Sequence, residues 1–217
     1  MPKDLAVVLN NGSINSAVIT AMAAQRHRPV MVFGDSSGGP GGRLRAAFDQ
    51  QVAHFKPYRD YVVPMPFASS TQTQSAATMA DPRQISPLAP QMLDLLPLIA
   101  VGIRYAVHHQ AAAVYIGMRV GPMTDDLAHA TEFFQIWNEM IQIPCGQSEL
   151  EVLTPLLELE PWQVVDVGYQ VNAPLERTWS CLEDSSEPCW SCRGCKQRDA
   201  AFQQAGKPDP LRGVRKV

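Results

Sequence analysis

Four cysteines near the end of the chain, Cys181, Cys189, Cys192 and Cys195, stand in the spacing C-x7-C-x2-C-x2-C. Four thiolates satisfy tetrahedral zinc, and a two-residue gap lets one tight turn aim two sulfurs at a single ion. The last pair leads into a helix expected from Arg193 to Ala205. Amides at that helix start can donate to the sulfurs and ease the crowding of negative charge. A site closed by four sulfurs keeps no open coordination position, so the ion would be structural. Such ions contribute on the order of 10 kcal/mol to folding in small modules. An iron–sulfur cluster also takes four thiolates and is the competing reading. The fifth cysteine, Cys145, follows Pro144 far from the others and reads as a small hydrophobe.

A second cluster lies at the other end. After the apolar run Leu5–Leu9 comes Asn11-Gly12-Ser13-Ile14-Asn15-Ser16, the turn between a first strand and a first helix. Backbone N–H groups converge in such a turn, and the helix N-terminus adds partial positive charge, so phosphate can bind there. By spacing alone Asn, Gly and Ser in a turn also serve local geometry. Arg119 falls just past a later strand end, where a ligand could sit, and Arg43 and Arg45 follow a glycine-rich segment, 34–42, and could reach a phosphate or simply open a solvated helix. Asp125 and Asp126 could hold magnesium or complement a helix start. Asp125 and His129 share a helix face at i, i+4, and Trp179 and Trp190 flank the cysteines, for packing or for stacking on a base. Arg212, Arg215 and Lys216 form a small basic tail, and His27, His54, His108 and His109 receive no role. No Ser–His–Asp signature or full phosphate-binding G-x-x-x-x-G-K-S/T motif occurs.

The elements that must hold these residues alternate. Strands are expected at Leu5–Leu9, Pro29–Phe33, Tyr61–Val63, Ala113–Gly117 and Glu151–Thr154. Helices are expected at Ser16–Arg26, Arg43–Lys56, from Leu88 through Ile103 with a break or kink at Pro97, Asp126–Ile141, and Pro161–Val167. Thr124 or Asp125 would cap the fourth helix, and 67–87 reads as a long polar loop. Strand–helix alternation implies a doubly wound parallel sheet, with a Rossmann-like domain over 1–170 and a metal-binding segment over 171–217.

Composition narrows the classes. The 217 residues are 46% hydrophobic, enough for a real core, and 18% charged, against about 25% in an average soluble domain. So lightly charged a surface implies cover by a partner or a second copy. A net charge of −3 argues against a protein whose main work is coating nucleic acid, while leaving room for a local basic patch. No apolar run reaches the length of a membrane span, and the N-terminus lacks a signal-peptide pattern. A cytoplasmic protein with reduced, metal-ligating cysteines is expected.

The stretch Thr178-Trp179-Ser180-Cys181, then Pro188-Cys189, Cys192 and Cys195, followed by Lys196-Gln197-Arg198 and a helix ending at Ala205-Gly206, resembles the 7-cyano-7-deazaguanine synthases of queuosine biosynthesis. Lys3–Leu9, Tyr115-Ile116-Gly117 and Thr154-Pro155-Leu156 are similar too. These synthases are ATP pyrophosphatases. The resemblance implies a five-stranded parallel sheet of the adenine nucleotide alpha-hydrolase-like type, a structural zinc, ATP and magnesium as cofactors, and a homodimer. It also implies a reaction that adenylates a carboxyl-deazaguanine, takes ammonia and dehydrates to a nitrile. On this basis Asn11, Gly12, Ser13, Asn15 and Ser16 would meet the nucleotide, with Arg119 beside them.

The sequence departs from the family at the reactive positions. The S-G-G-x-D-S turn has Ser13 where the second Gly stands and Asn15 where the Asp stands. If position 13 needed positive φ, serine would cost about 1–2 kcal/mol. Asn15 can cap a helix but brings no carboxylate for magnesium. Asp94 and Leu95 fall near the family's Arg-Asn pair, and Pro161 near its Lys. Met118–Asp126 replaces the acidic, tyrosine-rich substrate motif. Adenylation needs cations on the leaving pyrophosphate. The expectation is therefore a zinc-containing relative that has lost or altered adenylation and binds a nucleotide or deazapurine. An active ATP-dependent C–N ligase and a non-catalytic subunit for a protein partner are the alternatives.

Overall fold

In the computed structural model, residues 4–36, 42–67, 88–122, 124–146, 149–183 and 185–212 are described. Five strands form one sheet: β1 Leu5–Leu9, β2 Arg28–Asp35, β3 Arg59–Pro64, β4 Ala113–Ile116 and β5 Glu151–Leu153. The order is β3-β2-β1-β4-β5 and every pairing is parallel. Val7 lies opposite Val30 on one side and Val114 on the other. Such a sheet is covered on both faces, which is why its central strands are apolar without alternation.

Side chains sort by parity. Val7, Val30, Val32, Val114 and Ile116 pack under α3 (Ala89–His109) and α4 (Thr124–Cys145). Ala6, Val8, Ala113 and Tyr115 pack under α1 (Ile14–Arg26), α5 (Pro161–Gln170) and α6 (Arg193–Gln204). On that same side α2 (Arg43–Phe55) adds Phe48 to Met31 and Phe33.

Several elements differ from the sequence reading; the helix Thr124–Cys145 begins at Thr124, so Thr124 and Asp125 lie within it and neither caps it. Pro97 does not break α3, which runs 21 residues through it. An interior proline costs about 3 kcal/mol, but the turns beyond it bury Ile99, Ile103 and Ala106 against the sheet, and that packing holds the helix together. Likewise α1 starts at Ile14, because Ser13 caps it in extended conformation. The glycines at 37–41, the loop at 68–87, the side chains of Thr124 and Asp125, and Arg215 and Lys216 lie outside the described residues.

The chain leaves β1 toward β2 on one side and returns to β4 on the other. The crevice at the C-terminal ends of β1 and β4 is the topological switch point, where ligands bind in open α/β sheets. Among the described residues no helix is long and apolar enough to cross a membrane.

Candidate functional site

The turn after β1 is built on Asn10, which is 2% exposed. Its amide donates to Thr20 Oγ1 at 3.0 Å and to Gln51 Oε1 at 2.8 Å, and its carbonyl accepts from the Gly12 amide at 2.8 Å. Gly12 has φ +80°, and a Cβ there would stand 2.2 Å from the Leu44 carbonyl oxygen, so only glycine fits. Ser13 has φ −79° and caps α1 through its side chain, so serine at this position carries no left-handed strain. Asn15 does not cap the helix. Its amide donates to the Gly117 carbonyl at 3.0 Å, tying the helix start to the end of β4.

The turn satisfies its donors at Asn11, Gly12, Ser13 and Ser16 from within. The Asn11 amide donates to Ser16 Oγ (3.1 Å), and Ser16 Oγ donates to Asn11 Oδ1 (2.7 Å). The Ser13 amide also reaches Asn11 Oδ1, at 3.1 Å, and the Ser16 amide points to Ser13 Oγ at 3.4 Å. The amides of Ile14 and Asn15 belong to the first turn, which no intrahelical acceptor serves.

Above this turn opens a cleft of about 420 Å³. Leu9, Val32, Ile116, Leu95 and Leu98 make its apolar walls, and Gln91, Asp94 and Arg119 add polar groups. Among the described lining residues Arg119 is the one cation and Asp94 the one carboxylate. Burial pulls the Arg119 pKa below its ordinary value, and Glu160 pulls it back. A second cleft of about 440 Å³ shares Ser13, Asn15 and Arg119 and extends toward Pro161, Trp179 and Gln197. Arg43 and Arg45 line neither cleft: the Arg43 guanidinium sits 5.8 Å from the Trp179 ring, and Arg45 pairs with Asp49 at 2.9 Å. Asp126 and His129 lie on α4 away from both linings.

The four cysteines converge, with their sulfurs all within 4.8 Å of one another. Cys181 Sγ and Cys192 Sγ are 3.9 Å apart. The amides of Leu182 and Cys195 donate to Cys192 Sγ, that of Cys189 to Cys181 Sγ, and that of Cys192 to Cys189 Sγ, at 3.3–3.4 Å. Hydrogen bonds from the Ser191 side chain and amide, then the Cys192 amide, bring the Cys189 thiol down to about 6. The Leu182 amide lowers Cys192, while burial pushes Cys195 up to about 12. A bound cation deprotonates such thiols together. Gly194 lets α6 start against this knuckle, since a Cβ there would lie 2.0 Å from the Ser180 carbonyl oxygen. The group can therefore hold a metal ion.

Knuckle and turn are joined. The Trp179 amide donates to the Gly12 carbonyl at 3.0 Å, and Gln51, which holds Asn10, donates to the Arg177 carbonyl at 3.0 Å. Arg198 is 3% exposed and makes a bidentate pair with Asp209 (2.7 and 2.8 Å), besides donating to Thr178 Oγ1 and the Leu175 carbonyl. Arg212 pairs with Asp199 and covers Trp190. The sequence reading missed Asn10 and Gln51. The signal for Asn10 was a polar residue directly ending a buried strand; Gln51 offers none, because its partner is 41 residues away.

A strand-end turn at the switch point of a parallel sheet, braced by a four-cysteine knuckle, defines an adenine nucleotide alpha-hydrolase-like α/β protein. The chain belongs to the family described as queuosine biosynthesis protein QueC, whose family model matches residues 5–206. It is 34% identical over 115 residues to a 7-cyano-7-deazaguanine synthase of Aliarcobacter butzleri (strain RM4018), covering 52% of this chain and 50% of that one. In that alignment the chain spans about half the length of its relative. A 7-cyano-7-deazaguanine synthase of Parasynechococcus marenigrum (strain WH8102) is 24% identical over 219 residues, 96% of this chain and 97% of the relative. The fold is shared with the NMN synthetase of Francisella tularensis at a TM-score of 0.51 and 15% identity, over 95% of this chain and 79% of that one.

Proposed function

We propose that this chain binds a flat, uncharged purine-type ring, such as a deazapurine, in the strand-end cleft, and that it has lost the family's ATP-dependent adenylation. The observation that carries this reading is the self-closed turn. The amides of Asn11, Gly12 and Ser13 and the Ser16 hydroxyl, which would hold pyrophosphate, are engaged by Asn10, Asn11 and Ser16. Asn15 supports it too, since its amide faces a carbonyl where a carboxylate would organise magnesium. The lining has one cation, Arg119, and one carboxylate, Asp94, so the described lining offers no net positive charge to a triphosphate. What is left is an apolar slot with a few amides, within the size range of small-molecule sites.

The knuckle reads as a structural zinc site. Zn–S bonds of about 2.3 Å place tetrahedral sulfurs about 3.8 Å apart, in keeping with the 3.9 Å between Cys181 and Cys192. An iron–sulfur cluster puts its irons and sulfides between the cysteine sulfurs and needs them further apart. Cys181, Cys189, Cys192 and Cys195 would hold the ion, which supplies cross-linking and no catalytic position. The stripe Ile136, Met140 and Ile143 on α4, exposed at i, i+4 and i+7, supports the homodimer expected from the family.

The second reading, an active ligase in a cytoplasmic deazapurine pathway, rests on Arg119, which lines the cleft and could replace a missing cation. Calorimetry separates the two. The first expects a guanine-like deazapurine to bind at micromolar concentration, with no heat from ATP and magnesium. Magnesium-dependent ATP binding that disappears in Arg119→Ala would establish the second instead.

A further inference from the structure

The end of the sheet opposite the cleft carries a different chemistry. There Arg28 opens β2, Lys56 ends α2, Arg59 opens β3, and Arg104 and His108 lie in the last turns of α3, all exposed. Tyr58, 39% exposed, holds the Arg28 guanidinium 4.9 Å and the Arg59 guanidinium 5.6 Å from its ring centre, and it meets His109 edge-on at 6.0 Å. The Tyr61 hydroxyl bonds His109 Nε2 at 2.9 Å, and Tyr61 lies against Tyr105 at 4.3 Å. His109, given no partner by the sequence, thus anchors an aromatic row. Burial, then His108 and Arg59, lowers its pKa, consistent with a locally cationic surface.

Two grooves flank this row. One, of about 560 Å³, runs past Arg28, Lys56 and Tyr58. The other, of about 530 Å³, runs past Tyr61, Tyr105, Arg104 and His108. The exposed carboxylates beside them on the chain are Asp4 and Asp60, so cations predominate here although the chain as a whole carries −3.

We propose that this edge binds a single strand of nucleic acid, its phosphates on Arg28, Lys56, Arg59 and Arg104 and its bases against Tyr58 and the Tyr61–Tyr105 pair. Cations that track a backbone, interleaved with rings that stack on bases, are the elements of sequence-tolerant single-strand sites. An acidic peptide would use the guanidinium groups but not the rings. A duplex would offer phosphates but no ring faces. The surface lies at the far end of the strands from the cleft, so this inference stands or falls separately from the reading of that site.

Fluorescence anisotropy on the full chain tests it, using a labelled RNA or DNA strand of about twelve nucleotides, with a duplex of the same sequence, inorganic polyphosphate and polyglutamate as competitors. The single strand is expected to bind with a log–log salt slope of about −3, from four phosphate contacts at roughly 0.7 each. RNA and DNA strands should bind alike, while the duplex and polyglutamate should compete at least about tenfold less well. Arg28→Glu with Arg59→Glu should lower affinity at least about tenfold. Tyr58→Ala should weaken the strand by about tenfold while leaving polyphosphate binding unchanged. Polyglutamate or duplex competing as well as the single strand, equal loss of both ligands in Tyr58→Ala, or no binding at low salt would overturn the proposal.

Discussion

Asn15 donates to the Gly117 carbonyl, and a carboxylate at that position would face the same oxygen with no proton to give. Asn15→Asp restores the family's residue, yet it should destabilise the chain by about 1–3 kcal/mol, read from the urea midpoint, and should not create ATP turnover. Gly12→Ala should cost about 2 kcal/mol or more, because φ +80° and the Leu44 carbonyl both exclude a Cβ. His109 gives a pH dependence. Its folded pKa lies below the ordinary 6.5, so the unfolded chain takes up the proton first as pH falls. The stability it contributes is complete above 6.5 and is lost as pH drops through the folded value. In His109→Gln the loss of stability from about pH 7.5 to about pH 5.5 should be smaller than in the unaltered chain. The cysteines were legible as a metal-holding group, since few other side chains could do their work. Asn10 was not, because burial and three-way bonding are properties of the folded neighbourhood.

Among the elements, the C-terminal segment depends on one ion pair as well as on its cysteines. Arg198 and Asp209 have side chains only 2% exposed, and the pair connects α6 to Thr178 and Leu175. Removing one partner leaves a buried charge, so Asp209→Asn should cost about 3–5 kcal/mol in a denaturation series. Chelation should lower the melting temperature. It should also raise amide exchange at Trp179, which donates to Gly12, before exchange rises in β1. Strand–helix alternation was readable from apolar runs and turn residues. The break expected at Pro97 does not occur, because its local cost is outweighed by the core contacts of Ile99, Ile103 and Ala106, which sequence spacing alone does not weigh.

In the whole molecule, chemistry is divided between the two ends of one sheet. At the C-terminal ends of the strands lies a cleft whose described charges are Arg119 and Asp94; at the other end Arg28, Lys56, Arg59 and Arg104 are exposed. The parallel order was legible because strand–helix–strand units admit one crossover hand. The division of charge was not, because Arg28, Arg59 and Arg104 are scattered along the chain and meet only through β2–β3 pairing and the packing of α3. The proposed loss of adenylation rests on the self-closed turn and the absence of net positive charge in the described cleft lining. Its most direct test is pyrophosphate release from ATP by the metal-loaded chain, with magnesium, ammonia and a carboxyl-deazapurine present. Release no faster than without protein is predicted; stoichiometric AMP and pyrophosphate, abolished by Arg119→Ala, would contradict the account.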